Sequence, residues 1–320
     1  INKQKQKKSK KKKEKKKIDK LLHKIEKKIS KEKNKLFVIS FSSYSYFNVI
    51  NSAKQRDFFE ILSSRFSDKI YKLSKNNANL FFLELDKSFA NHGYIKCFDQ
   101  RNYFSFRCRL SITGLEILAE NLHKIIKRLF ASPKKVLLLD CDNTIWGGVL
   151  GEDGFENLEI GQDGLGLAYL EFQKAVKKIK DSGVIIVILS KNNKSDVTNV
   201  FKKHKSMALK FNDITSFKVN WRDKSLNIKE IAKELYLHPS SFVFWDDNPV
   251  ERNKVKIKCK DVHVIEPNND IVNWSKQLLE YEGFSKFSLT KEDLNKTLDY
   301  QKRDKFIEKK KSSNDELTYL

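Results

Sequence analysis

The sequence predicts an α/β fold built on a parallel sheet, and three observations predict it. Short apolar runs at 136–139, 184–189 and 242–245 each stop abruptly at polar residues. Segments with helical apolar spacing, about 163–180, 195–204 and 224–236, lie between or just before those runs. Strands that alternate with helices in this way pair in parallel and are covered on both faces. The apolar fraction is only 39%, yet 23 Phe and 10 Tyr supply enough bulk for such cores. At 320 residues the chain has room for one or two domains.

Taken in order, residues 1–35 carry 18 Lys and four acids, a net +14 of the chain's +23. The run from Lys7 to Lys17 has no apolar residue to bury and repels itself. Residues 1–30 therefore read as a basic low-complexity tail, disordered or a frayed helix. Such a tail suits nucleic acid or an anionic membrane, but a solvated leader is the plainer reading. From Ile18 onward Leu21, Leu22, Ile25 and Ile29 recur at helical spacing. Leu36–Ser40 reads as a strand, 53–66 as a helix and Leu80–Leu85 as a second strand. Residues 112–129 read as an amphipathic helix with Leu115, Leu118, Leu122, Ile125 and Leu129 on its apolar face. Together these make 31–130 a partial α/β region. Ser132-Pro133 ends it, 131–285 forms the main α/β domain, and 286–320 is a helical extension whose helix starts at Thr290.

Other classes are disfavoured. No apolar run reaches the 18 residues of a membrane span, and no apolar stretch of secretory type follows the basic start. Four Cys do not make a disulfide scaffold. A cytoplasmic protein is expected. The first residue is Ile1 and the N-terminal region is short, so a fragment of a longer chain is also expected.

The chemistry lies at the strand ends. Val136–Leu139 stops at Asp140-Cys141-Asp142-Asn143-Thr144. Two carboxylates one residue apart at the end of a buried strand are costly unless a cation joins them, and Mg²⁺ prefers such hard oxygens. Ligands of open α/β sheets bind beyond the carboxyl ends of the strands. The second run ends at Ser190-Lys191-Asn192-Asn193, and the third at Asp246-Asp247-Asn248-Pro249. Lys224 opens a helix between them. A hydroxyl beside a lysine holds phosphate oxygens, and two acidic clusters hold Mg²⁺ against the phosphate. One aspartate can attack phosphorus while a second protonates the leaving oxygen.

The segments LLLDCDNTIWGGVLGEDG (137–154), SKNN (190–193), NWRDKSLN (220–227) and FWDDNPVER (244–252) resemble FkbH-like proteins, subfamily IIIC of the haloacid dehalogenase (HAD) superfamily. The likeness runs from about residue 80 to 310, and more weakly back to 36. It implies a HAD-like Rossmannoid three-layer sheet without a large cap, preceded by a partial SGNH-like α/β region. It implies Asp140 as nucleophile and Mg²⁺ ligand. Asp142 is implied as general acid/base, its backbone carbonyl also facing the metal. Thr144, Ser190 and Lys224 are implied around the phosphate, with Thr144 holding its loop. Asp246 and Asp247 are implied as further Mg²⁺ ligands, without saying which coordinates directly. Asn192, Asn193 and Arg252 are candidate substrate contacts at the mouth. FkbH-like proteins take a glyceryl group from 1,3-bisphosphoglycerate, remove phosphate and load the group on an acyl carrier protein, which is then the expected partner.

Spacing agrees with an open site. Asp140 to Ser190 is 50 positions, Ser190 to Lys224 is 34, and Lys224 to Asp246 is 22, so no interval holds a separate cap domain. Cys141 is a candidate thiol for carrier loading, against the plainer reading of a small apolar residue ending a buried strand. His204, His238 and His263 read as surface or loop residues. Trp146 and Trp245 either wall the pocket or pack, whereas Trp221 and Trp274 read as helix packing. Gly147-Gly148, Gly151 and Gly154 suit a hairpin-like flap. The SFSS at 40–43 is too weak to support a hydrolase site. Three functions stay open: an enzyme handling a carrier-linked or acyl-phosphate substrate, a plain phosphatase for a small phosphorylated metabolite, and a non-enzymatic nucleic-acid binder acting through the basic tail.

Overall fold

The computed structural model describes residues 2–42 and 58–286, in two compact units divided after Ile126. The start of the expected helix at 53, the SFSS segment beyond Ser42, the helix start at Thr290 and the rest of the C-terminal extension lie outside the described residues.

In the first unit α1 (Asn2–Lys31) is one continuous helix. The basic leader contains neither Gly nor Pro, and Lys is a good helix former, so nothing interrupts the helix before its apolar half. That half buries Leu22 and Ile29, with Ile18 and Ile25 partly buried, beside Ile70, Leu73 and Leu80. Leu21 points outward, 50% exposed, because the buried stripe runs through 18, 22, 25 and 29. β1 (Phe37–Phe41) pairs in parallel with β2 (Leu80–Glu84), Phe37 opposite Leu80, and α2 (Phe58–Asn76) connects towards β2. α3 (Leu85–His92), α4 (Gln100–Phe106) and α5 (Ile112–Phe130) follow. Of the expected stripe of α5, Ile125 is buried and Leu118 and Leu122 pack on the core, whereas Leu115 and Leu129 are exposed and Ile117 is buried in addition. Gly114 marks the closest approach: a Cβ there would stand 2.3 Å from the Cys97 carbonyl oxygen, so this face lies hard against the chain.

The second unit carries a parallel sheet of β3 (Val136–Leu139), β4 (Ile185–Ser190), β5 (Ser216–Val219), β6 (Phe242–Trp245) and β7 (His263–Val264). Among the described residues its order is β5-β4-β3-β6-β7. Alternate residues of each strand feed opposite cores. Leu137, Leu139, Ile186, Ile188, Val243 and Trp245 pack on one side. This core is closed by α7 (Gly164–Asp181), α8 (Lys194–Lys203) and α11 (Trp274–Glu280). Val136, Leu138, Ile185, Val187, Phe242 and Phe244 pack on the other, under α9 (Lys224–Leu235) and α10 (Pro249–Lys258). All four residues of β3 are fully buried, as a central strand covered on both faces must be. Between β3 and β4 there is only α6 (Leu150–Asp153), one 3₁₀ turn and α7, so no cap domain is inserted.

The glycine-rich flap is not a plain hairpin. Gly147 and Glu159 exchange two backbone hydrogen bonds, at 3.1 and 2.9 Å, but α6 and the 3₁₀ turn at 155–157 fill the intervening chain. No described helix is long and apolar enough to cross a membrane.

Candidate metal and phosphate site

The chain leaves β3 to one side through β4 and β5, then returns to the other side with β6 and β7. The switch between β3 and β6 opens a crevice at their carboxyl ends. Leu139 pairs with Trp245, and the Asp140 N–H donates to the Trp245 carbonyl at 3.1 Å. Asp140 and Asp246-Asp247 therefore leave neighbouring strands side by side. One carboxylate oxygen from each of Asp140, Asp246 and Asp247 lies within 4.8 Å of the others. The resemblance implies both Asp246 and Asp247 as ligands, without saying which coordinates directly; both join this cluster.

Lys224, the first residue of α9, reaches between them. Its Nζ is 2.9 Å from Asp140 Oδ1 and 2.6 Å from Asp246 Oδ2. The Asp223 side chain caps α9 by accepting the Ser225 N–H at 2.9 Å, which sets the helix start beneath the site. Burial alone would lower the Lys224 pKa, but the charges of Asp140 and Asp246 outweigh it and hold the lysine protonated. Burial, with the Asp140 charge added, pushes Asp246 up to about 6 against the pull of Lys224. Asp247 is raised for the same two reasons. Three acids against one lysine leave a buried excess of negative charge, and hard oxygen donors suit a divalent cation such as Mg²⁺.

Asp142 stands apart from this trio. Its Oδ1 accepts from the Trp146 indole at 2.9 Å and from the Leu150 N–H at 3.1 Å. Its Oδ2 accepts from the Asn192 amide at 3.0 Å. These contacts engage the carboxylate, which leaves the metal contact implied for Asp142 to its backbone carbonyl. Burial raises its pKa, with the Leu150 and Trp146 hydrogen bonds opposing, a setting that favours a proton donor. The turn after it depends on Asn143, whose side chain accepts the Gly148 N–H at 3.0 Å. Gly148 sits at φ +93, a conformation open to glycine.

Several expected contacts have other work. Thr144 donates to Asp247 Oδ1 and accepts from the Asp247 N–H, both at 3.2 Å, so its hydroxyl ties the two acidic loops together and is not free for phosphate. Asn192 is buried on Asp142. Asn193 is exposed, donates to Asp196 at 3.2 Å and accepts the Trp221 indole N–H at 3.3 Å. Arg252 donates through Nη1 to the carbonyls of Asp246 and Asp247, at 2.8 and 2.6 Å, and through Nε to Glu266 at 2.8 Å. It clamps the acidic loop. Ser190 ends β4 fully packed, next to the end of β3. Cys141 is buried in the core and its thiol is pushed well up, by burial first and then by Asp140 and Asp142, both against a covalent role.

Trp146, Trp245 and Trp274 are packed, but Trp221 is 71% exposed and does not pack a helix. His238 and His263 are exposed and His204 half-buried. The sequence reading missed Gln173. This fully buried side chain donates to the Ile145 carbonyl at 2.8 Å and accepts from the Ala208 and Leu209 N–H groups. It braces the loop after β3. A lone amide on the apolar stripe of α7, between Leu170 and Val176, was the signal for it.

A parallel sheet covered on both faces, without an inserted cap and with acidic loops meeting at its switch point, defines the HAD-like Rossmannoid class. The chain is similar to the crystal structure of the N-terminal part of protein BF1531 from Bacteroides fragilis, which contains a phosphatase domain and is complexed with Mg. The two are 36% identical with a TM-score of 0.60; the match covers 69% of this chain and 60% of that one. This chain thus spans about three fifths of the solved chain it matches. No family profile and no curated protein matches it.

Proposed function

We propose that the protein is a Mg²⁺-dependent phosphatase of the HAD type. The observation that carries the reading is the buried cluster of Asp140, Asp246 and Asp247 bridged by Lys224. The similar solved chain contains a phosphatase domain complexed with Mg, which agrees with that cluster. Asp140, Asp246 and Asp247 would hold the ion, which when bound neutralises phosphate oxygens and orients the phosphoryl group. Asp140 attacks phosphorus and the P–O bond to the leaving group breaks, giving an aspartyl-phosphate. Asp142, held by Trp146, Leu150 and Asn192, gives its proton to the leaving oxygen. It then takes a proton from the water that hydrolyses the aspartyl-phosphate, releasing phosphate and restoring both acids. Lys224 carries its charge to the attacked group, and Ser190 at the end of β4 offers a hydroxyl to it.

Within that chemistry the reading extends to FkbH-like proteins: dephosphorylation of a glyceryl or related acyl-phosphate, with the group passed to an acyl carrier protein. The capless crevice supports it, since a group displayed on a carrier needs an open mouth. Buried Cys141 does not serve as a relay, so the acceptor thiol belongs to the carrier. The test incubates the chain with Mg²⁺ and 1,3-bisphosphoglycerate, with and without carrier protein, following free phosphate and carrier mass. Phosphate release with no carrier adduct leaves the plain phosphatase. No phosphate release from this or a panel of phosphate esters, with Asp140→Asn equal to wild type, sinks both.

A further inference from the structure

Trp221 lies two residues beyond β5, in the loop that delivers Lys224 to the site. It is 71% exposed, whereas Trp146, Trp245 and Trp274 are at most 6% exposed. A single exposed aromatic is ordinary on a protein surface. This one is held in place. Its indole N–H donates to Asn193 Oδ1 at 3.3 Å, across to the loop after β4. The loop enters through the Asn220 N–H, which donates to the Ser190 carbonyl at 3.1 Å. Asn220 and Asn227 exchange side-chain hydrogen bonds at 3.3 and 3.0 Å, and the Arg222 N–H donates to Asn220 Oδ1 at 3.0 Å. The loop leaves through the Asp223 cap.

The indole is also linked to the proton donor. Asn193 donates its N–H to Asn192 Oδ1 at 2.9 Å, and Asn192 donates to Asp142. Fixing a large side chain costs conformational entropy, and here little burial offsets it. With no cap domain inserted among the described residues of this unit, the exposed face of the ring is apolar surface available to whatever extends outward from the phosphate.

We propose that Trp221 is a specificity-determining residue: a fixed apolar platform at the mouth that contacts the carbon chain of the substrate beyond its phosphate. The proposal rests on the phosphatase reading only for where the phosphate sits. It gives the substrate class as phosphorylated compounds with an extended apolar segment, in preference to short polar ones, and so stands against the glyceryl substrate of the finer reading while keeping its phosphatase chemistry.

The test uses the full chain with Mg²⁺ and non-hydrolysable n-alkyl phosphonates from methyl to octyl, so that no turnover is needed. Trp221 is the exposed tryptophan, and acrylamide quenching of fluorescence reports on it. Calorimetric affinity is expected to rise at least tenfold from methyl to octyl in the wild type. Octylphosphonate should at least halve the quenching constant, and inorganic phosphate should leave it unchanged. In Trp221→Ala the rise with chain length should flatten to within twofold; Trp221→Phe should keep most of it. In turnover, Trp221→Ala should raise KM for octyl phosphate about tenfold more than it raises KM for methyl phosphate. Equal affinities for methyl and octyl phosphonates, undetectable octyl binding, or octyl binding without protection would each overturn the platform, even if phosphate esters are hydrolysed. Chain-length-dependent protection without hydrolysis would uphold the platform and defeat the phosphatase reading instead.

Discussion

Lys224 and Asp246 form an ion pair at 2.6 Å in which neither side chain is more than 3% exposed. The same ammonium holds Asp140 at 2.9 Å, so one lysine bridges two of the three acids and offsets part of the cluster's charge. Lys224→Met keeps the aliphatic stem but leaves the carboxylates buried without a cation. Removing one partner of a buried pair costs about 3–5 kcal/mol. Urea denaturation is expected to register that loss, and hydrolysis of phosphate esters to disappear. Mg²⁺ should raise the melting temperature of Lys224→Met more than that of the wild type, because the ion restores the missing positive charge. Equal Mg²⁺-induced shifts in the two proteins would contradict this account.

Arg252 supports the cluster from outside it. By gripping the Asp246 and Asp247 carbonyls, and being held in turn by Glu266, it sets the direction of both side chains. Losing such outer partners lowers metal affinity about 10–100-fold. Arg252→Ala should weaken Mg²⁺ binding by that order in calorimetry, with the circular dichroism spectrum unchanged. Arg252→Lys should recover little, since a single ammonium does not reproduce a planar fork that spans two carbonyls and a carboxylate. Unaltered Mg²⁺ affinity in Arg252→Ala would remove the residue from the site.

What was legible in the sequence follows from what is local. Each apolar run of the main sheet that ends in acids or hydroxyls is a strand whose last residues must meet water or ligand. The positions of Asp140, Ser190 and Asp246 could be read from that, and so could the helices at 164–181, 194–203 and 224–235. Hydrogen-bond partners are not local. Thr144 meets Asp247 across 103 positions and Asn192 meets Asp142 across 50, so polar residues near a motif looked like free ligands when each was already engaged. Trp221 misled for the opposite reason. Its apolar ring implies burial, and only the hydrogen bond to Asn193, 28 positions away, explains how it stays ordered in water. On α5 the expected stripe held at Leu118, Leu122 and Ile125 and failed at its ends. At the first turn Gly114 lies close to Cys97, and Ile117 is buried where Leu115 was expected.

Asn192 separates binding from proton transfer. A residue that touches substrate changes KM when truncated, whereas one that orients the acid changes kcat. Asn192 donates to Asp142 Oδ2 and is almost wholly buried, so Asn192→Ala should lower kcat about tenfold with KM within twofold. Steady-state kinetics on any ester the wild type hydrolyses will decide it. A raised KM at constant kcat would return Asn192 to the substrate.

Asp223 connects acid stability to the same machinery. Its carboxylate pairs with Lys258 at 2.5 Å and caps α9 through the Ser225 N–H; together these hold its pKa well below the usual carboxylate range. A depressed acid contributes stability that is present above its unfolded pKa of about 3.9 and is lost as pH falls through the lower folded value. The ion pair is largely exposed to solvent and adds little, but the cap is worth about 1 kcal/mol. Asp223→Ala should therefore be less stable than wild type by about that amount at pH 7. The gap should begin to narrow as pH drops below about 4, where the unfolded chain takes up its proton first, and narrow further as pH falls through the lower folded value. Asp223→Asn, which still caps, should lie close to wild type at pH 7 and show less acid dependence. Because α9 begins at Lys224, the uncapped variant should also lose turnover at neutral pH, whereas Asp223→Asn retains it. A gap between Asp223→Ala and wild type that stays constant from pH 7 to pH 2 would mean that the carboxylate charge has no part in setting the start of that helix.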